Sequence, residues 1–252
     1  MSILSVSCWS RPVRVVAATL CAGTVVAGAA GCGDGGDKQR PLTDLVLNVE
    51  QIPDGYTVVP ASVDDLIASN RSTLDQAASV TFSPDECTPT ADAAFNPQLN
   101  DANTVLIVAS SDAGTLSETI SSVVRDVDAD RRATTGVCRV VTAEPTKGTL
   151  AGSHIVTTTT ELPGPTGDAV ENELVVRSDS VTTLPDQGVR VRSALLSNVV
   201  VRRKDGSKVT VQLNLATVDQ GVLKQVPADF QPPMSDGSFV QLVQNAVDRA
   251  AS

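Results

Sequence analysis

Aromatic residues and histidine are scarce in this sequence. Its 252 residues include one tryptophan, one tyrosine, four phenylalanines and one histidine. So few rings leave little surface on which nucleic-acid bases could stack, and the same reasoning disfavours binding to the faces of sugars. Because His154 is the sole histidine, every triad or two-histidine metal site within one chain would depend on it. It opens a predicted strand, so we expect a structural role for it.

Recognisable catalytic and cofactor motifs are also missing. The sequence has no Gly-x-Ser-x-Gly elbow, no Ser-x-x-Lys pair, no Walker loop and no dinucleotide glycine fingerprint. Neighbouring carboxylates occur at Asp64 with Asp65, Asp85 with Glu86, and Glu171 with Glu173. Two acids could make a glycosidase, but each pair lies near a predicted turn or strand end. Asp126, Asp128 and Asp130 are spaced as in a calcium loop, without its glycine and distal glutamate in register. We expect no enzyme activity, no cofactor and no metal.

The charge balance is acidic, with a formal net charge of −10. Contact with nucleic-acid phosphates needs clustered Lys and Arg, so we expect no nucleic-acid partner. One basic cluster surrounds the predicted Asp205-Gly206 turn, and its members are Arg202, Arg203, Lys204 and Lys208. A solubilising edge is one interpretation. The other is a contact with anionic headgroups or wall polymers, to which each basic residue contributes about 1 kcal/mol.

The first 31 residues have the pattern of a signal peptide. They lack acidic residues, and Arg11 and Arg14 precede an apolar run that ends in small residues before Cys32. The run of about 16 residues is shorter than the roughly 20 that span a bilayer. We predict a lipobox, with cleavage before Cys32, lipid on its thiol and a flexible tether over 32–40. A non-lipidated secreted protein is the alternative.

Cysteine usage predicts one disulfide. Of five cysteines, Cys8 and Cys21 would leave with the signal peptide and Cys32 would carry lipid, so Cys87 and Cys138 remain. An exported chain meets oxidising conditions, and a bond between these two would close a loop of about 50 residues, worth about 4 kcal/mol of chain entropy. A redox-active pair is disfavoured because such cysteines usually lie two residues apart.

The remaining chain, 41–252, is long enough for a single domain with a sizeable core. Unbroken apolar residues at 104–110 predict a strand that is central in a sheet. Five later β-branched segments have period two, which predicts five more strands. The last two would be joined by a two-residue turn at Asp205-Gly206, in which both residues need positive φ. The five segments are CRVVTA, SHIVTTTTEL, ENELVVRS, VRVRSALLSNVVVRR and KVTVQLNLATV.

Helices are predicted at four places. A short helix opens the domain at Leu42, and a second begins at Ser62. Thr115 and Glu118 match a capping box that is followed by apolar residues at helical spacing. A C-terminal helix with one apolar side follows a second box at Ser238. We therefore expect an α+β fold, an antiparallel sheet of about six strands with helices packed on it.

Several short motifs together resemble one family. They are the lipobox, Ile-Pro-Asp-Gly-Tyr at 52–56, Ser-Pro-Asp-Glu-Cys at 83–87 and the later Cys138. Over residues 41–250 the chain resembles mycobacterial-type, actinobacterial cell-envelope lipoproteins with a domain similar to the PknH-like extracellular sensor domain. The resemblance implies a sheet with flanking helices, a cleft for an unidentified ligand and a disulfide from Cys87 to Cys138. In that family the sensor domain of a receptor Ser/Thr kinase has two disulfides, whereas this chain has cysteines for one, so loops around the cleft are expected to differ.

These observations lead to one functional prediction with two alternatives. We predict a binding or sensor-like domain that is lipid-anchored at the outer face of the plasma membrane. Its partner would be a small molecule, an envelope polymer or a protein. A carrier of lipid or another hydrophobic ligand is the first alternative, and an envelope hydrolase with an unrecognised site is the second.

Overall fold

The computed structural model describes residues 40–88, 91–228 and 230–252. The predicted signal peptide, Cys32 and most of the predicted tether lie outside these residues. Within them, the chain forms one antiparallel sheet of nine strands, in the order β1-β3-β4-β9-β8-β7-β6-β5-β2, and four α-helices. The α+β class is confirmed. The strands are β1 Thr57–Val59, β2 Val80–Ser83, β3 Thr104–Ser110, β4 Gly114–Ser121, β5 Val140–Pro145, β6 His154–Glu161, β7 Val170–Thr183, β8 Val189–Arg202 and β9 Lys208–Thr217, and the helices are α1 Val63–Ala77, α2 Ala91–Phe95, α3 Val127–Thr134 and α4 Asp236–Ala251.

The described sheet has nine strands where about six were predicted. Two of the additional strands, β1 and β2, are short edge strands of three and four residues. The third is β4, where a helix starting at Thr115 was predicted, and that prediction is wrong. Leu116 and Ile120 are four residues apart, which fits one side of a helix and also alternate positions of a strand. Pairing with β3 on one side and β9 on the other makes the segment a strand.

β3 is a strand as predicted, but it is not central. It lies second from one edge of the sheet, between β1 and β4. Residues 105–108 are half-buried on both faces. Val105 and Ile107 pack against the main core, while the alternate residues face the opposite side. The unbroken apolar run therefore reflects partial cover of both faces near an edge.

The main core lies between one face of the sheet and α4. The apolar side predicted for the C-terminal helix is confirmed, since Phe239 and five further residues of α4 are buried. The helix begins earlier than predicted, because Ser235 Oγ accepts a hydrogen bond from Ser238 N at 3.2 Å and Ser235 is the N-cap. The strand residues buried beneath α4 include Leu116, Ile120, Val175, Leu195, Val199, Val201, Val209, Val211, Leu213 and Leu215.

The N-terminal segment packs against the same core without forming the predicted short helix. It has two 3-10 turns, Leu42–Asp44 and Val49–Gln51. Between them Leu45, Val46 and Leu47 are all buried. Three consecutive buried side chains suit an irregular segment enclosed on several sides better than a helix with one apolar side.

The β8–β9 hairpin has a three-residue turn instead of the predicted two-residue turn. Arg203 N donates to Ser207 O at 2.8 Å, and Gly206 N donates to Arg203 O at 2.9 Å. Of the two turn residues for which positive φ was predicted, only Gly206 has it, at 80°. A turn closed by a glycine in this conformation is the usual three-residue hairpin connection.

The opposite face of the sheet carries α3 and the disulfide. Cys87 and Cys138 are bonded, as predicted, with Cα atoms 5.4 Å apart. Both are buried in a small cluster with Phe82, Val141 and Ile155. α1 connects β1 to β2, which are the two edges of the sheet.

Candidate ligand-binding groove

α1 leaves most of its surface uncovered. Among its 15 residues only Val63 is buried. Its start is as predicted, because Ser62 Oγ accepts from Asp65 N at 3.1 Å and the Asp65 carboxylate accepts from Ser62 N at 3.2 Å. This reciprocal capping box satisfies two backbone donors at the helix start. The first turn of α1 is therefore well capped, but the helix packs only loosely on the sheet.

One side of α1 forms a groove with the turn that joins β5 to β6. The opposite wall is the segment 145–150. The groove has a volume of about 780 Å³, which is within the roughly 300–1,000 Å³ of small-molecule sites. We call it the α1 groove. On the helix it is lined by Ala68, Arg71, Ser72, Asp75 and Gln76, which recur at a spacing of one to four residues on one side of the helix.

Hydrogen bonds hold the two walls of the α1 groove together. Thr146 donates to Ser79 O from its backbone N at 2.9 Å and from its hydroxyl at 2.8 Å. The turn is closed by Gly152 N, which donates to Pro145 O at 2.9 Å. Gly148 has a φ of 79° within it, a conformation that glycine adopts without strain. The wall is thus a defined turn that is tied to the end of α1.

The floor of the α1 groove rests on the disulfide cluster. Val80 and Leu150 line the groove and also pack against the cluster that contains Cys87 and Cys138. The disulfide therefore supports the groove through these two side chains, because their positions depend on the cluster beneath them.

Three charged side chains line the α1 groove, and all three are exposed. They are Arg71, Asp75 and Lys147. Among the described residues, none of these side chains has a hydrogen bond or an ion pair. Two positive charges and one negative charge make the lining +1 in a chain of −10. No sequence motif marks these residues, since Lys147 is far from α1 along the chain and only the fold brings them together.

The α1 groove and the start of the domain lie at opposite ends of the sheet. The registers of β5 to β8 put the 145–150 turn at the end where β8 begins, near Val189. Arg40 lies where β8 ends, since Arg203 Nη2 donates to Arg40 O at 2.7 Å. The 14 residues of β8 span about 45 Å at roughly 3.3 Å per residue.

The four predicted basic residues do meet at the hairpin tip, but an acidic residue lies among them. Glu171 forms ion pairs with Arg202 at 3.3 Å and with Lys208 at 2.9 Å. The hydrogen bond from Lys208 holds the pKa of Glu171 below its ordinary value. Arg203 is buried and donates to the backbone oxygen of Arg40, whereas Lys204 is exposed. An anionic surface would therefore compete with Glu171 for two of the four cations.

Three other residues considered for catalysis or metal binding, His154, Asp126 and Asp128, have local contacts. His154 is exposed, with Nδ1 3.3 Å from Glu144 Oε1. Asp126 caps α3, its carboxylate accepting from Ala129 N at 2.9 Å. Asp128 accepts from the Asn172 side chain. Within residues 40–88, 91–228 and 230–252, no three His, Cys, Asp or Glu side chains converge to hold a metal ion.

A buried ion cluster on the α3 side was not predicted. Arg125, which is 4% exposed, contacts Asp130 with two nitrogens and Asp92 at 2.7 Å, and it lies over the ring of Phe95. Burial lowers the pKa of Arg125, but the hydrogen bonds and charges of both aspartates outweigh burial and raise it. Asp130 also accepts from Asn198 of β8 at 2.8 Å. The cluster ties α2 and α3 to the sheet.

Glu118 is a buried carboxyl group in the main core. It is 1% exposed, and its Oε2 accepts from Leu47 N at 2.7 Å while Oε1 has no partner. Burial raises the pKa of Glu118 to about 7, although the Leu47 hydrogen bond and the charge of Arg249 act in the opposite direction. Arg249 itself donates to Val46 O. Glu118 and Arg249 thus hold the N-terminal segment on the core.

Comparison with family models, with curated proteins and with solved structures finds no match for this chain. No helix in the described residues is long and apolar enough to cross a membrane.

Proposed function

We propose that this chain is a lipid-anchored, extracytoplasmic binding domain that presents the α1 groove to a small molecule of the cell envelope. One observation carries the proposal, namely that the groove lies at the end of the sheet opposite to Arg40. A domain held by lipid at Cys32 would have its hairpin tip near the bilayer. Its groove would then open toward the outside of the envelope.

The dimensions suit this arrangement. Eight residues from Cys32 to Arg40 reach at most about 28 Å when fully extended. The sheet adds the length of β8, about 45 Å. The groove would therefore stand tens of ångströms above the headgroups, where a soluble envelope component can reach it.

A relationship to the PknH-like extracellular sensor domain is part of the proposal. Two features support it, the antiparallel sheet with flanking helices and the disulfide between Cys87 and Cys138. In this proposal the chain binds its ligand without transforming it, because the α1 groove holds no histidine, cysteine or pair of neighbouring carboxylates.

The anchor is tested by intact mass spectrometry of protein purified gently from native membranes. We expect a diacyl or triacyl mass on the chain that begins at Cys32, and its loss in Cys32→Ala. Unmodified Cys32 in the wild-type protein would remove the membrane part of the proposal. A stoichiometric acyl lipid that co-purifies without a covalent bond would favour the lipid carrier instead.

The groove is tested with a pair of variants on the exposed surface of α1. Ala68→Trp puts an indole into the groove, whereas Ser69→Trp puts the same group at a neighbouring exposed position outside the groove lining. Envelope extracts are screened for compounds that raise the melting temperature. We expect stabilisation of wild type and of Ser69→Trp, and none of Ala68→Trp. Equal responses of all three proteins would mean that the α1 groove is not the binding site.

A further inference from the structure

The cations of the α1 groove differ from many others on this acidic surface. Elsewhere, several arginines form ion pairs with nearby carboxylates, among them Arg131 with Glu161, Arg177 with Asp179, Arg190 with Asp219 and Arg202 with Glu171. In the α1 groove, Arg71 and Lys147 have no such partner among the described residues. They are therefore available to a ligand without first breaking an ion pair.

Asp75 lies near Arg71 but does not pair with it. It lies one helical turn from Arg71, a spacing at which opposite charges can pair, yet the two side chains form no ion pair. The guanidinium is instead a free planar fork of donors, which suits the two oxygens of a carboxylate or phosphate. Lys147 lines the facing wall and adds a second positive charge to the groove.

The groove also has an apolar floor. Val80, Pro145 and Leu150 lie along it, with Ala68 on the helix. Val80 and Leu150 are only partly buried by the disulfide cluster behind them. A ligand that covers these side chains gains hydrophobic contact in addition to its charge interaction.

We infer that the α1 groove binds an amphipathic anion, a carboxylate or phosphate group joined to a short apolar portion. Arg71 and Lys147 hold the anionic group, and the floor takes the apolar portion. The negative charge of Asp75 repels the anionic group of the ligand and so lowers the affinity. The inference rests on the proposed function, because it names the ligand class of the same groove.

The test is calorimetric titration of the full-length chain in nanodiscs of zwitterionic lipid, with empty nanodiscs as the blank. Four probes separate the contribution of the ligand's charge from that of its apolar portion. They are hexyl phosphate, inorganic phosphate, neutral hexyl glucoside and cationic hexyltrimethylammonium. We expect hexyl phosphate to bind about tenfold more tightly than each of the others, and this preference to weaken with added salt.

Four variants assign the effect to named side chains. Arg71→Gln and Lys147→Gln should each weaken hexyl phosphate binding about three- to tenfold, as loss of a partly exposed charge contact does. Lys224→Gln removes an exposed positive charge outside the groove lining and should leave binding within about twofold. Asp75→Asn should strengthen binding about threefold. A gain in affinity is a result that a damaged fold would not produce.

The outcomes separate the ligand class from the proposed function. If hexyl glucoside binds as tightly as hexyl phosphate and Ala68→Trp blocks both, the anionic class is overturned while the binding function stands. If inorganic phosphate binds as tightly as hexyl phosphate, the groove binds the anionic group alone. The inference that the ligand has an apolar portion is then wrong. If no probe binds, the ligand class is overturned, and the extract screen with Ala68→Trp and Ser69→Trp decides the binding function separately.

Discussion

Glu118→Gln is the substitution for which the structure makes the most quantitative prediction. The folded chain holds Glu118 at a pKa of about 7, whereas an ordinary glutamate, as in the unfolded chain, has a value of 4.5. Between these two values the folded state binds a proton that the unfolded state releases. The free energy of unfolding therefore falls as pH rises from about 4.5, and the loss is complete above about pH 7.

The magnitude follows from the size of the shift. The rise of the pKa from 4.5 to about 7 corresponds to about 3 kcal/mol, since each pKa unit is roughly 1.36 kcal/mol. Glutamine does not titrate, and its carbonyl oxygen can still accept the hydrogen bond from Leu47 N. Its amide group replaces the unpartnered Oε1, which adds an offset that does not depend on pH. The quantity to measure is therefore how the difference in free energy of unfolding between the two proteins changes with pH.

The assay is urea unfolding of both proteins at half-unit steps from pH 4.5 to 8. We expect the stability of Glu118→Gln relative to wild type to rise by about 3 kcal/mol across this range. Glu50→Gln, at an exposed position of the same N-terminal segment, serves as the control and should follow wild type. A difference that stays constant within about 0.5 kcal/mol would refute the assignment of a buried, proton-binding Glu118.

Three other variants test separate parts of the structure. Replacing both Cys87 and Cys138 by Ala should lower the free energy of unfolding by about 4 kcal/mol in urea, because the bond closes a loop with a separation of 51 residues; an unchanged midpoint would contradict this. Arg125→Met should cost about 3–5 kcal/mol in the same assay, because it removes the cation that pairs with the buried carboxylate of Asp130, while exposed Arg139→Met should cost little. Glu171→Gln should increase salt-sensitive co-sedimentation of the unlipidated chain with anionic vesicles, since it releases two cations of the hairpin tip; weaker binding would count against that contact.

Long periodic segments were predicted well because they allow one interpretation. In β9, which was predicted as a strand, Val209, Val211, Leu213 and Leu215 alternate with polar residues, and all four are buried. The apolar side of α4 repeats over four turns and is likewise buried. A period of two and a period of 3.6 diverge over such lengths, so the pattern distinguishes strand from helix.

Short or ambiguous segments were predicted poorly because they allow more than one interpretation. In β4, the positions of Leu116 and Ile120 suit both periods, and Glu118 between them looks like a capping residue although it is buried in the core. β1 and β2 are too short to show a period. Their assignment comes from pairing with β3 and β5, which are distant in the chain.

The sequence by itself determined the α+β class, most of the sheet and the disulfide, because period, β-branched composition and the two cysteines of the predicted domain are local or countable properties. Only the tertiary structure decided the α1 groove, the Arg125 cluster and the burial of Glu118. Arg71 and Lys147 line the same groove, and Leu47 donates a hydrogen bond to Glu118, although each pair is 70 or more residues apart in the chain. Such contacts depend on how helices and strands pack, and packing leaves no periodic signal in the chain.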